Sequence, residues 1–282
     1  MQRVNERRVN RLFPKAMMYA ILVVCAVIAL YPIYHALITS LKTESEYVQN
    51  RLSIPAAPTA QNYSYVLIEG KLLKYFLNNC IVMPIALAGY LFVCTTAGFA
   101  FGKLRFRFRL PIFLSVLFLM IFPQMLLSVQ IFQICRALQL LNSYIGLILV
   151  WIAYFAPFGT YIMTTFFSSV PYELIESARM DGANTRQILL RIMVPISMPM
   201  IGIISIIGFQ SMWNEFIFSL LLLQNDEMRT ITLGIGMLQG QYGLDDTRLT
   251  AAIIVASFVP FLLFIFFQKY ISMGAYAGAI KG

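Results

Sequence analysis

The chain has 282 residues, of which 60% are hydrophobic and only 12% charged, with a mean hydropathy of +0.77. A soluble globular chain is closer to about 45–50% apolar and about 25% charged, so this one cannot cover a water-facing surface and most of its outer face must meet lipid. The net charge of +9 does not point to nucleic acid, because the basic residues gather in short clusters between apolar stretches and form no basic face on one element.

A helix needs about 20 mainly apolar residues to cross the hydrocarbon core. In chain order the stretches that meet this are 16–41, 75–102, 110–132, 143–167, 196–223 and 249–268. All are free of Asp, Glu, Lys and Arg except 196–223, which holds Glu215. Arg7-Arg8 ahead of the first stretch has the look of a secretory signal, but 16–41 is too long for a signal core and ends without a small-x-small cleavage pattern. It reads as a retained first span. Backbone groups in lipid must bond internally, so the spans are helices, and Pro32, Pro84, Pro123, Pro157 and Pro260 are expected as kinks. The expected fold class is therefore all-α, a single polytopic membrane domain over 1–282 with six transmembrane helices.

Placing both termini in the cytoplasm puts two thirds of the Lys and Arg residues on the inside, as the positive-inside rule asks. The expected location is a membrane. Residues 42–73 then form an outer loop, ordered only by packing on the bundle, and 224–248 a second one, in which Gly234, Gly236, Gly240 and Gly243 mark loop rather than a phosphate cradle. Gly98 and Gly102 make a small-xxx-small pair at the inner end of the second span, against this chain or another. Cys25, Cys80 and Cys94 fall inside apolar stretches and read as small buried thiols. With Cys135 and the single His35 they offer no metal-ligand spacing.

The inner loop 168–195 carries the most information. Ser169 followed by Pro171 suits a helix start, and Glu173 and Glu176 lie near the positive end of the helix dipole. Glu176 and Arg179 are three apart and able to pair, and Gly182 suits the left-handed stop. These features predict a helix of about three turns capped at both ends, then a second helical run from Thr185 to Met193 leading to Pro195 and Pro199. Such a helix is either an interfacial element resting on headgroups or a docking knob for a cytoplasmic partner.

The segment Glu176-Ser177-Ala178, then Gly182, then Ile192-Met193-Val194-Pro195 resembles the signature loop of binding-protein-dependent ABC importers: E-A-A, three residues, G, nine residues, I-x-L-P. All intervals match; Ser177 and Val194 are the departures. Asp181-Gly182-Ala183, Trp213-Asn214-Glu215-Phe216 and the ending Gly278-Ala279-Ile280-Lys281-Gly282 narrow the resemblance to carbohydrate permeases of the smaller maltose-permease type, over essentially the whole chain. The resemblance implies the type I importer permease fold, with a cytoplasmic coupling helix, and it is the resemblance that implies the bacterial plasma (inner) membrane as the location. Glu173, Glu176, Ser177, Ala178, Arg179, Asp181, Gly182, Ile192 and Pro195 would serve ATPase coupling, and the tail 271–282 would reach between ATPase subunits. It also implies partners: a second homologous permease, two cytoplasmic ATPase subunits using ATP and Mg, an external solute-binding protein, membrane lipid and a sugar substrate, with no nucleic acid. The chain itself is expected to bind no cofactor or metal and to lack ATPase motifs.

Glu215, the one acid inside a span, carries two readings: with Gln210, Trp213 and Asn214 it forms a polar wall of the sugar path, or it anchors helix to helix. Helical spacing puts 210, 213 and 214 on one face and 215 away from it. The rivals to a sugar importer are an importer of another solute class and a secondary transporter.

Overall fold

A computed structural model describes residues 2–242 and 245–279, with the side chains of 15, 17–238 and 245–266. Among these residues the regular structure is entirely helical: α1 Gln2–Ser40, α2 Glu44–Gln49, α3 Gln61–Ile68, α4 Leu72–Lys103, α5 Arg109–Phe118, α6 Gln124–Ala137, α7 Tyr144–Ser169, α8 Glu173–Met180, α9 Thr185–Ile188, α10 Val194–Trp213, α11 Ile217–Leu222, α12 Ile231–Tyr242 and α13 Asp246–Ala279. Among the described residues five helical stretches are long and apolar enough to cross a membrane, and a bent pair, α5 with α6, makes up to six. The chain divides into two compact units, residues 1–70 with 238–255 and residues 71–237 with 256–282.

In the first unit, every side chain from Met17 to Tyr34 on α1 is exposed, so this apolar surface is left for lipid or another chain to cover. The turn after α1 is polar and closed. Asn62 Nδ2 donates to the carbonyls of Ser40 (2.8 Å) and Lys42 (2.7 Å), and Ser40 Oγ pairs with Tyr63 Oη at 2.6 Å. Lys42, expected as a loop charge, is fully buried. Its ammonium donates to Asn50 O and Arg51 O at 3.0 and 3.3 Å, the carbonyls at the end of α2, where a cation matches the negative end of the helix. Residues 42–70 thus hold two short helices and a hydrogen-bonded core of their own. At the other end of this unit Asp245 caps α13 by accepting from Arg248 N at 2.8 Å, and the Arg248 guanidinium lies 3.9 Å from the Tyr65 ring.

The second unit is built on the pairing of α4 with α7, the most extensive between two helices among the described residues. A Cβ on Gly98 would run into Met163 Cβ, and one on Gly102 would lie 2.9 Å from Phe167 Cβ and 3.1 Å from Thr164 O. The small-xxx-small pair therefore meets α7 of the same chain, and the two backbones touch. Tyr90, Cys94, Phe99, Leu147, Trp151, Met163 and Phe167 fill the seam, each at most 3% exposed. Cys25 and Cys80, by contrast, are exposed. The expectation of buried thiols fails there because in a membrane protein apolar residues cover the lipid face as well as the core.

Two expected spans are broken. Over 110–132 the helix stops, and Arg109–Ile121 meets Gln124–Ala137 at 107°. Phe122 is extended (φ −80°, ψ 120°), as the residue before a proline prefers, so Pro123 acts as a break and not as a kink. Over 196–223, α10 ends at Trp213 and α11 begins only at Ile217. The second expected loop also differs, since 231–242 is helical. Tyr75 lies so close on α12 that a Cβ at Gly234 would strike its ring, so this glycine makes room for an aromatic ring on a helix. The tail expected at 271–282 continues as α13 to Ala279; residues 280–282 lie outside the described residues.

Residues 225–231 are pinned to the start of α4. Asp226 accepts from Lys71 (2.6 Å), Tyr75 Oη (2.7 Å) and Arg229 (2.7 Å), and Glu227 from Lys71 (2.8 Å) and Lys74 (2.7 Å). Asn78 Nδ2 donates to Glu227 O and Arg229 O, both at 2.9 Å. Partial burial works to raise the Asp226 carboxyl, but its bonds to Lys71 and Tyr75 and the Arg229 charge outweigh that and hold it below its ordinary value. Lys71 and Lys74 hold Glu227 low in the same way.

Two outcomes are expected. Gly98→Leu, which forces a side chain into Met163, should lower stability by about 1–3 kcal/mol, read as an earlier thermal transition in detergent. The depressed carboxyls contribute stability that is present above the ordinary carboxylate range and lost as pH falls through their lowered values. Protection of the amides in 225–231, taken relative to their intrinsic exchange rate at each pH, should accordingly be high at neutral pH and fall in acid, and Asp226→Asn should remove most of that pH dependence.

Candidate functional site

The segment between α7 and α10 is ordered from the α7 end onward by local bonding. Ser169 Oγ turns back to Phe166 O at 2.8 Å, so it belongs to the last turn of α7 and does not cap the next helix, contrary to the expectation from its sequence position. Val170 is extended (φ −68°, ψ 134°) because Pro171 follows. α8 starts at Glu173, with Tyr172 O accepting from Ile175 N (2.9 Å) and Glu176 N (3.1 Å). It therefore has two turns rather than three.

One face of α8 is inward, with Ile175 and Ala178 at 2% and 6% exposure, three apart as helical packing requires. Glu173, Glu176, Ser177, Arg179 and Asp181 are all exposed, and Met180 is 89% exposed. Among the described residues no ion pair joins Glu176 to Arg179, so the expected pair is not made and both charges face outward. The helix ends in a Schellman motif: Gly182 N donates to Arg179 O (3.0 Å) and Ala183 N to Ala178 O (2.9 Å). Gly182 has φ +82°, with nothing within 4 Å of where a Cβ would be. Glycine is needed there for backbone angle alone.

The next helix is capped immediately. Asn184 Oδ1 accepts from Gln187 N and Gln187 Oε1 from Asn184 N, both at 2.9 Å, a reciprocal capping box. Sequence reasoning misses this box, although its signal, Asn-x-x-Gln directly after the Gly182 stop, stands in the chain. Residues 189–193 then widen into a π turn, with Val194 N reaching back five residues to Leu189 O. Pro195 lacks an N–H and its ring crowds the carbonyl four residues earlier; the wider turn ahead of it accommodates both. Ile192 is half-buried and Pro195 exposed, while Ile188 and Met193 anchor the segment in the core.

The four residues of the fifth span separate into two pairs. Trp213 is buried, stacked on Phe209 with ring centroids 5.3 Å apart, and its carbonyl accepts from Thr232 Oγ1 at 2.6 Å. Gln210 and Asn214 are exposed, with Asn214 Nδ2 donating to Gln210 O at 2.9 Å. Of the face expected for 210, 213 and 214, Gln210 and Asn214 keep a common exposed side, with Asn214 N still bonded to Gln210 O at 3.2 Å, while Trp213 turns into the core.

Glu215 is 4% exposed. Its Oε1 accepts from Gln124 Nε2 (2.6 Å) and Phe218 N (2.6 Å), and its Oε2 from Trp151 Nε1 (3.0 Å), Ser219 N (3.0 Å) and Ser219 Oγ (2.9 Å). The carboxylate closes the first turn of α11, where free N–H groups and the helix dipole favour an anion. It also reaches Gln124, the first residue after the α5/α6 break. Its partners Gln124 and Trp151 carried no sequence signal.

A family described as the inner membrane component of binding-protein-dependent transport systems matches residues 71–274. The sulfoquinovosyl glycerol transport system permease protein SmoH of Agrobacterium fabrum (strain C58) is 31% identical over 254 residues, covering 90% of this chain and 89% of that one. The arabinooligosaccharides transport system permease protein AraQ of Bacillus subtilis (strain 168) is 30% identical over 257 residues, 90% of this chain and 91% of that one. In fold, the chain is similar to a chain from the crystal structure of a bacterial ABC transporter involved in the import of the acidic polysaccharide alginate. The TM-score is 0.80 at 24% identity, covering 93% of this chain and 98% of that one.

Glu215→Ala leaves several buried donors without an acceptor, each costing about 1–3 kcal/mol, so a loss of at least about 3 kcal/mol is expected. Glu215→Gln should restore little of it, because its amide nitrogen would face N–H donors. Unfolding in detergent, followed by tryptophan emission, measures both.

Proposed function

The chain belongs to the inner membrane components of binding-protein-dependent transport systems, and on that premise we propose that it is a permease subunit of an ABC importer for a sugar or oligosaccharide, forming half of the translocation path. The solute class is supported by the relatives, whose names specify sulfoquinovosyl glycerol and arabinooligosaccharides. Residues 1–282 act as one permease domain with both termini in the cytoplasm, beside a second homologous permease and below an external solute-binding protein. The chain is a transport subunit and not an enzyme; two cytoplasmic ATPase subunits use ATP and Mg on its behalf.

The observation that carries this reading is the outward face of α8. A two-turn helix whose inner face is packed by Ile175 and Ala178, and whose end is fixed by Gly182, presents Glu173, Glu176, Ser177, Arg179 and Asp181 to whatever docks on it. Exposed charges on a rigid base suit a polar partner better than a headgroup layer, which would want the apolar face outward. The capping box at Asn184 and the turn around Ile192 and Pro195 carry movement of α8 into α10. Gln210 and Asn214 are the exposed polar groups assigned to the substrate path, with Trp213 and Glu215 behind them fixing the end of α10.

Reversing the charge tests the docking face. Glu176→Lys should still insert and run as wild type on size exclusion, yet lose ATP hydrolysis from the assembly purified through a tag on this chain. Full hydrolysis by that variant would remove α8 as the docking element. Uptake of a panel of labelled mono- and oligosaccharides by cells producing the whole set, with no member taken up, would move the solute outside the carbohydrates.

A further inference from the structure

Lys103 is the last residue of α4, and it is only 7% exposed. Burying an ammonium is costly unless its donors are met, and here they are met by backbone. Its Nζ donates to Val170 O at 2.5 Å and to Ser168 O at 3.4 Å. Both carbonyls lie at the end of α7, where C=O groups lack helical partners and the dipole is negative. Among the described residues Lys103 makes no ion pair.

The next residue but one along the chain from Val170 is Tyr172, and the same cation lies 5.9 Å from its ring, with the Arg105 guanidinium 5.5 Å from it. Tyr172 is also the residue whose carbonyl closes the first turn of α8. The end of α7 is therefore tied to the end of α4 by two carbonyl bonds, and the Tyr172 ring at the base of α8 lies 5.9 and 5.5 Å from two cations, the first of them the same ammonium. Directly beside this contact, Gly102 lets the α4 and α7 backbones touch.

We infer that Lys103 is a positioning residue that ties the end of α7 and the base of α8 to the end of α4, so that α8 moves with α4 and α7 as one body. On this wiring, a push on α8 is delivered to α4 as well as along the chain into α10. The inference rests on the docking reading of α8 for its purpose, though not for its geometry.

The test uses the purified assembly in lipid nanodiscs, with the four native cysteines replaced and spin labels at Met180→Cys on α8 and Phe92→Cys on α4, both exposed positions. The pulsed-dipolar distance distribution between them should be narrow, and should keep its centre when ATP, Mg and vanadate are added. Lys103→Met keeps the apolar stem and removes the donors; it should broaden the distribution, and Lys103→Arg should restore the narrow one. A Lys103→Met distribution as narrow as wild type overturns the proposal. Should Lys103→Met fail to insert, Tyr172→Leu takes its place: broadening supports the clamp and a wild-type width refutes it. A wild-type preparation without ATP hydrolysis ends the docking reading, while the width comparison still decides the clamp.

Discussion

A helix that stops where the protein excludes water leaves N–H or C=O groups without a partner, and this chain closes two such ends with charged side chains of matching sign. At the start of α11 the free N–H groups of Phe218 and Ser219 are met by the Glu215 carboxylate. At the end of α7 the carbonyls of Ser168 and Val170 are met by the Lys103 ammonium. Each charge sits at the helix end whose dipole favours it, and each also reaches a second helix, so the same bond that satisfies the backbone fixes a junction. Lys42 does the same for the end of α2 in the first unit. The irregular points of the molecule depend on these few polar contacts, because a buried backbone group without a partner costs about as much as a lost hydrogen bond.

Between the two charged junctions runs the α4–α7 seam. Gly98 and Gly102 bring two backbones into contact over the half of α4 that ends at Lys103, and the buried rings of Tyr90, Phe99, Trp151 and Phe167 hold the remaining length. Trp151 joins the seam to the break at Glu215 through its indole N–H. The stiff part of the chain is thus continuous from the broken fifth span, through α7, to the base of α8. On the docking role proposed for α8, such a base would transmit displacement, where a flexible tether would dissipate it.

Spans were legible because the length of an apolar run is set by bilayer thickness, a constraint that acts on each segment separately. The stop at Gly182 was legible for a similar reason: the left-handed angle is a property of one residue. What stayed hidden depends on two distant residues at once. Nothing near Pro123 announces that Gln124 will meet Glu215, and a proline in a span reads equally as a kink or a break until the neighbour that stabilises the break is known. Gly234 reads as loop because its partner, the ring of Tyr75, lies far away in sequence. Cys25 and Cys80 read as buried for want of any way to tell a lipid-facing position from a core one by apolarity. In the site, the spacing of Glu176, Gly182 and Pro195 was visible, whereas the burial of Trp213 depends on the packing around its ring, which spacing along one helix does not show.

The angle at Gly182 has a stereochemical consequence. With φ at +82° and open space where a side chain would project, the site objects to the handedness of an L-residue and not to its bulk. A D-alanine introduced there by chemical ligation would suit the left-handed turn and, by narrowing the unfolded chain's choices, would hold the exit from α8 more firmly than glycine does. At Gly98 the demand is for empty volume, since Met163 already fills the place a methyl would take. Two glycines in one chain therefore answer to different physics, one to chirality and one to room.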